Sequence, residues 1–198
     1  VDNAPPPPPV DNAPPPPPVD NAPPPGPVGD TFVLIGDTFV PIGDPPIQQE
    51  GTDAISTAVS ETENEMQKAA CNQFVRAVAE RIQVTDFSEN MKANDQIQYM
   101  RDHPNSWEKI ESEKKAQELA NSGKFVVAGW LNPEGHGHVC IVIKGSMANT
   151  SMTDAFPSGK APYVASGRLH NGQNEQIKNE SASKAFGNHK PEYFVRKQ

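Results

Sequence analysis

Apolar residues fall at helical spacing along 64–84 (NEMQKAACNQFVRAVAERIQV), with Cys71, Phe74, Val75, Val78 and Ile82 on one face. That spacing predicts a helix. A second helix is expected over 106–123 (SWEKIESEKKAQELANSG), where Ser106 suits an N-cap and Gly123 a C-terminal stop. The period then shortens. Residues 124–131 (KFVVAGWL) are β-branched and aromatic, and 136–143 (HGHVCIVI) alternate, so each predicts a strand. The NPEG between them is a turn, and the two strands should pair as an antiparallel hairpin. Shorter strands are expected at 161–166 (APYVAS) and 192–196 (EYFVR), with the polar stretch 167–190 looped between them. Residues 54–198 thus read as one α+β domain.

The first 50 residues have a different character. VDNAPPPPP, VDNAPPPPP and VDNAPPPGP repeat over 1–27, with 14 prolines among them. Proline fixes φ and lacks an N–H, so this segment is expected as a disordered polyproline II arm, on the order of 80 Å long if fully extended. A shorter repeat follows, GDTFVLI, GDTFVPI, GDPPI, too short and too interrupted by proline to form a core of its own. Residues 1–50 therefore read as a low-complexity linker. An SH3-type proline ligand is the sharper alternative, but every flanking charge is acidic, whereas such ligands usually carry a basic anchor. The chain opens on Val1 rather than Met, so a fragment or processed form is expected, with the arm spacing the domain from something upstream.

Charge separates the same two parts. Residues 1–60 hold eight acids and no Lys or Arg, and the other 17 acids balance all 17 bases, so the net charge of −8 belongs to the first 60 residues. Nothing is basic enough to predict a nucleic-acid partner. No run approaches the roughly 18 apolar residues of a membrane helix, so no membrane span is expected. Two cysteines make no multi-bridge framework, and each has to be weighed as a reactive thiol.

Strand alternation places His136, His138 and Cys140 on one face of 136–143, and Val139, Ile141 and Ile143 on the other, expected to be the more deeply buried. Three readings follow. H-x-H-x-C can supply three zinc ligands, with Cys71 or His170 as a fourth. Cys140 can be an ordinary small core residue, with the histidines merely polar at a strand start. Or His138 works with Cys71. A cysteine at a helix start has its pKa lowered by free backbone N–H groups, and a nearby imidazole can carry the proton to a leaving amine. That reading requires the helix to begin near Ala69–Ala70, with 61–68 separate. A helix running through from residue 64 would bury Cys71 mid-helix. The pairing also predicts a thiolate–imidazolium ion pair, with alkylation of Cys71 rapid well below pH 7. A Cys71–Cys140 disulfide would remove the nucleophile, unless it served as a redox lock.

CNQFVRAV followed by GHVCIVI resembles the NlpC/P60 and CHAP superfamily of cell-wall hydrolases. The longer set CNQFV…SWEKI…KKAQELANSGKFVVAG…HGHVCIVIKG…AF…KPEYF is similar to bacterial peptidoglycan amidases, including amidase effectors of type VI secretion, over roughly 65–198. The resemblance implies a papain-like fold, with the helix carrying Cys71 packed on an antiparallel sheet. It implies an amidase or endopeptidase that cuts a peptidoglycan stem peptide without metal or other cofactor. Cys71 matches the nucleophile and His138 the general base. Ser166, Asp154 and His170 are candidates for the orienting third residue, with Ser166 and Asp154 favoured. Asn72 is a candidate for shaping the oxyanion region, and His136 for binding substrate. The resemblance further implies secretion or delivery to a bacterial periplasm or cell wall, with a cognate immunity protein or a secretion-apparatus component as partner. Two other functions are carried forward: a non-catalytic binding module on the same fold with the proline arm as its interacting element, and a zinc-dependent hydrolase.

Overall fold

The computed structural model describes residues 32–35, 38–41 and 54–197. Two units are distinguished, 1–47 and 48–198. In the first, β1 (Phe32–Ile35) and β2 (Thr38–Pro41) form an antiparallel hairpin, with Ile35 opposite Thr38. The linker reading of 1–50 assigned no strand here. The sequence signal is present, since FVLI and TFVP are separated by Gly36-Asp37, a two-residue pair of hairpin type. The expected polyproline arm over 1–27 lies outside the described residues.

The second unit is α+β. In chain order it contains α1 (Ala54–Met66), α2 (Cys71–Arg81), α3 (Ala93–Asp102), β3 (Trp107–Ile110), α4 (Glu113–Asn121), β4 (Val126–Trp130), β5 (His138–Val142), β6 (Ala148–Asn149), β7 (Lys160–Ala161), β8 (Tyr163–His170), β9 (Gln173–Ser181), α5 (Ala182–Phe186) and β10 (Glu192–Arg196). Six strands form one sheet in the order β3-β10-β4-β5-β8-β9, every neighbour antiparallel. The hairpin expected across 124–143 is β4 against β5, with Trp130 opposite His138.

Period-2 alternation gives this sheet a core on each face. Val127, Val139, Ile141 and Phe194 join Phe74, Val75 and Val78 of α2 and Ile97 of α3. Val126, Ala128, Cys140, Val142 and Val195 join Ala116 and Ala120 of α4 and Phe186 of α5. The expectation of one deeper face on β5 is therefore corrected: Val139, Cys140, Ile141 and Val142 are all fully buried. A central strand covered on both sides reads as a continuous apolar run, and VCIV is one.

Three further expectations are corrected. Residues 64–84 are not one helix. Gln67 has φ 51° and Ala70 is extended at φ −67°, ψ 152°, so α1 ends and α2 starts afresh at Cys71. The break is held by pairing with β9: the Ala69 N–H donates to Glu175 O at 3.2 Å, and the Ile177 N–H to Gln67 O at 3.1 Å. Residues 106–123 begin as a strand, because Trp107 and Ile110 complete the ladder of β10. The cap is Ser112, whose Oγ accepts the Lys115 N–H at 3.2 Å, and not Ser106. Gly123 follows the helix with φ +80°, as a stop residue should. Residues 167–190 are largely regular, with β8 continuing to His170 and β9 and α5 following. Asn171 (φ 50°) and Gly172 (φ 75°) turn β8 into β9, the Asn-Gly pair that a type I′ turn prefers.

Candidate functional site

Cys71, Asn72, His136 and His138 line one cavity of about 720 Å³. Its walls are the first turn of α2, the first turn of α3 (Lys92 to Asp95), the 135–138 segment entering β5, and the β8–β9 hairpin through Leu169, Gly172 and Asn174.

Cys71 is the first residue of α2. Its cap is Ala70, which carries no side-chain oxygen to occupy the N–H groups of the first turn. Those of Cys71 and Asn72 lie against the sulfur, as does the N–H of Val139, so the thiol abuts the start of β5. These donors favour the thiolate, but burial outweighs them and pushes the Cys71 pKa up. His138 opens β5 and is pulled down to about 4, by burial first and by the Arg168 guanidinium second. Burial thus disfavours the charged form of each group, a direction opposite to that of the expected thiolate–imidazolium pair.

The His138 ring is held at Nε2 by a buried partner. Its Nε2 lies 3.0 Å from Ser166 Oγ on β8, and the Ser166 hydroxyl donates to Gly167 O at 3.1 Å. With its single proton directed there, Ser166 faces Nε2 as an acceptor. That arrangement suits the neutral tautomer with its proton on Nε2, which leaves Nδ1 unprotonated as a base requires. Phe186 meets the ring edge-on, with centroids 5.2 Å apart. Ser166 is fully buried. Asp154, the other favoured third residue, is exposed in the turn between β6 and β7 and does not line the cavity. His170 is exposed at the end of β8.

The Asn72 backbone N–H lies at the sulfur, while its side chain turns away: Nδ2 donates to Met91 O at 2.8 Å. Gln96 Nε2 donates to Asn72 O at 3.0 Å, tying the start of α2 to α3. His136 is exposed on the cavity wall. Cys140 is a fully buried free thiol on the opposite face from the cluster that holds Cys71, and Cys71 is free as well. Among the described residues no three His, Cys, Asp or Glu side chains gather as a metal site, so the H-x-H-x-C face does not assemble the ligand set proposed for it.

Sequence reasoning missed Asn94. Its Nδ2 donates to Asn132 O at 2.7 Å and Gly135 O at 3.0 Å, and its Oδ1 accepts the Asn132 N–H at 3.0 Å. One amide thus clamps the turn that delivers His138. A Cβ on Gly137 would meet Asn94 Oδ1 at 2.2 Å and Trp130 O at 2.6 Å, so the glycine of HGH is required by close approach. No local signal marks Asn94, because its partners lie about forty residues away. Among the described residues no helix is long and apolar enough to cross a membrane. No protein-family model matches the chain, and no curated protein matches it.

Proposed function

We propose that residues 54–198 form a papain-like cysteine hydrolase of the NlpC/P60 type that cuts an amide bond of a peptidoglycan stem peptide. The observation that carries the reading is the His138 arrangement. An imidazole at the mouth of a strand, held through Nε2 by a buried serine, shares a cavity with a thiol at the first position of an uncapped helix. The sequence resemblance supplies the substrate class.

His138 Nδ1 takes the thiol proton as the sulfur attacks the carbonyl carbon. The C–S bond forms, and the oxyanion is received by backbone N–H groups at the start of α2. The imidazolium passes its proton to the leaving nitrogen as the C–N bond breaks. Water, deprotonated by the same Nδ1, then attacks the thioester and releases the acid, restoring the thiol. A neutral starting pair suits this general-base route: charge appears only during reaction, inside a site that already directs donors at it. The proposed place of action is a bacterial cell wall or periplasm reached by secretion, with an immunity protein guarding the producer.

The second reading, a binding module on the same fold, draws on the same neutrality, since a buried un-ionised thiol need not react. Incubating purified peptidoglycan with the wild type and Cys71→Ala, and identifying the fragments by mass, separates the two. New amine and carboxyl ends from the wild type alone support hydrolysis. Identical digests from both proteins sink it.

A further inference from the structure

Most polar side chains around the Cys71 cavity are committed to the protein itself. Asn94 clamps the turn before His138, and Asn72 holds Met91 O. Asn174 Nδ2 donates to Gln73 Oε1 at 3.3 Å, and Gln73 Oε1 also accepts the Ala70 N–H at 3.4 Å. Asp95 Oδ2 accepts the Lys92 backbone N–H at 2.9 Å. The Lys92 ammonium is different. It lines the cavity, is exposed, and has no hydrogen bond or ion pair among the described residues, although Asp95 is only three positions on. The His136 ring on the same wall likewise shows no partner among the described residues. The Lys92 backbone is fixed as the cap of α3 (φ −81°, ψ 173°), so the side chain springs from a set point on the wall.

The one carboxylate on this wall, Asp95, is engaged with the Lys92 backbone N–H, which leaves the Lys92 ammonium without a partner among the described residues and able to receive an anion. We infer that Lys92 is the specificity-determining residue that receives a substrate carboxylate, with the His136 ring as a second donor, so that the molecule bound there is an acidic peptide. One ammonium with the Asp95 carboxylate nearby suits a monoanion better than a phosphate dianion, which would demand more positive charge. Lys92 touches no reacting atom in this scheme. It holds the acyl chain while Cys71 and His138 do the chemistry. The inference deepens the hydrolase reading and takes its biological sense from it, but it can be tested without hydrolysis.

The test is the rate of Cys71 alkylation by iodoacetate, which carries a carboxylate, divided by the rate with neutral iodoacetamide, followed by mass on the peptide containing Cys71. Both reagents need the same thiolate, so the ratio cancels any change in thiol pKa. In Lys92→Met the ratio should fall about threefold to fivefold. In Lys92→Arg it should hold, and in about 1 M salt the wild type should lose its preference, since screening then acts within roughly 3 Å. A ratio unchanged in Lys92→Met overturns the inference. A second arm uses soluble stem peptides with free or amidated carboxylates: Lys92→Met should raise KM for the free form alone and leave kcat in place. If the alkylation ratio moves but no peptidoglycan is cut, the hydrolase reading falls and the carboxylate site stands. If peptidoglycan is cut and neither ratio nor KM moves, the carboxylate site falls alone.

Discussion

Cys71 and His138 titrate away from each other, and that shapes their pH behaviour. Burial raises the thiol and lowers the imidazole to about 4. Iodoacetamide should therefore modify Cys71 of the free protein slowly at pH 6 and speed up only through and above the ordinary thiol range near 8.5. Fast alkylation at pH 6 would restore the ion pair. His138 also links pH to stability. Its folded pKa lies below its unfolded value of about 6.5, so between those values the unfolded chain binds a proton that the folded chain refuses. Stability should fall as pH drops from about 6.5 to 4, and His138→Gln should flatten that part of a urea-denaturation series. In turnover, His138→Ala should lose about 10²–10⁴-fold in kcat. Ser166→Ala should lose less, and His136→Ala least, because Ser166 only orients the ring and His136 stands exposed on the wall. Equal losses in all three would contradict the assignment of roles.

At the scale of elements, glycines set how closely the strands approach the helix starts. A Cβ on Gly167 would lie 2.8 Å from Ala69 O and 3.0 Å from Ala70 O, backbone atoms at the beginning of α2. Gly167→Ala should cost about 1–3 kcal/mol in urea denaturation and lower activity as well, because β8 carries Ser166 and α2 carries Cys71. Phe74→Ala provides the contrast. It empties a fully buried site one helical turn below Cys71 and should cost about 3–5 kcal/mol. The binary pattern exposed β4, β5 and β10 because long-range pairing and local preference agree there. The helix expected over 106–123 is present only in its second half, as α4, because residues 107–110 are drawn into the ladder between β3 and β10. The pattern failed at 167–190, where polar β9 forms an edge strand whose one legible signal was Asn171-Gly172.

For the whole molecule, the charge division and the proline repeats assign the first 50 residues no share in the domain's core. A chain starting at residue 51 should melt within a few degrees of the full-length protein and hydrolyse soluble muropeptides at nearly the same rate. A two-stranded hairpin such as β1–β2 is at best marginal alone, so its removal should leave the cooperative transition in place. A large fall in melting temperature, read by circular dichroism, would show that the segment packs on the domain after all.

The sequence by itself determined the α+β class, the β4–β5 hairpin, the apolar face of α2, and the choice of Cys71 and His138 as residues to watch. The first three depend on neighbours within an element or a single turn, where periodicity and residue type speak directly, and the last on chain order and the family resemblance. Only the tertiary structure decided the rest. α2 begins at Cys71 because residues 67–69 pair with β9, about a hundred positions away. Ser166 rather than Asp154 meets the imidazole because β8 lies beside β5 in the sheet. Asn94 holds the turn before His138 from another helix. The directions in which Cys71 and His138 are shifted follow from burial, a property of the packed molecule that no local spacing encodes.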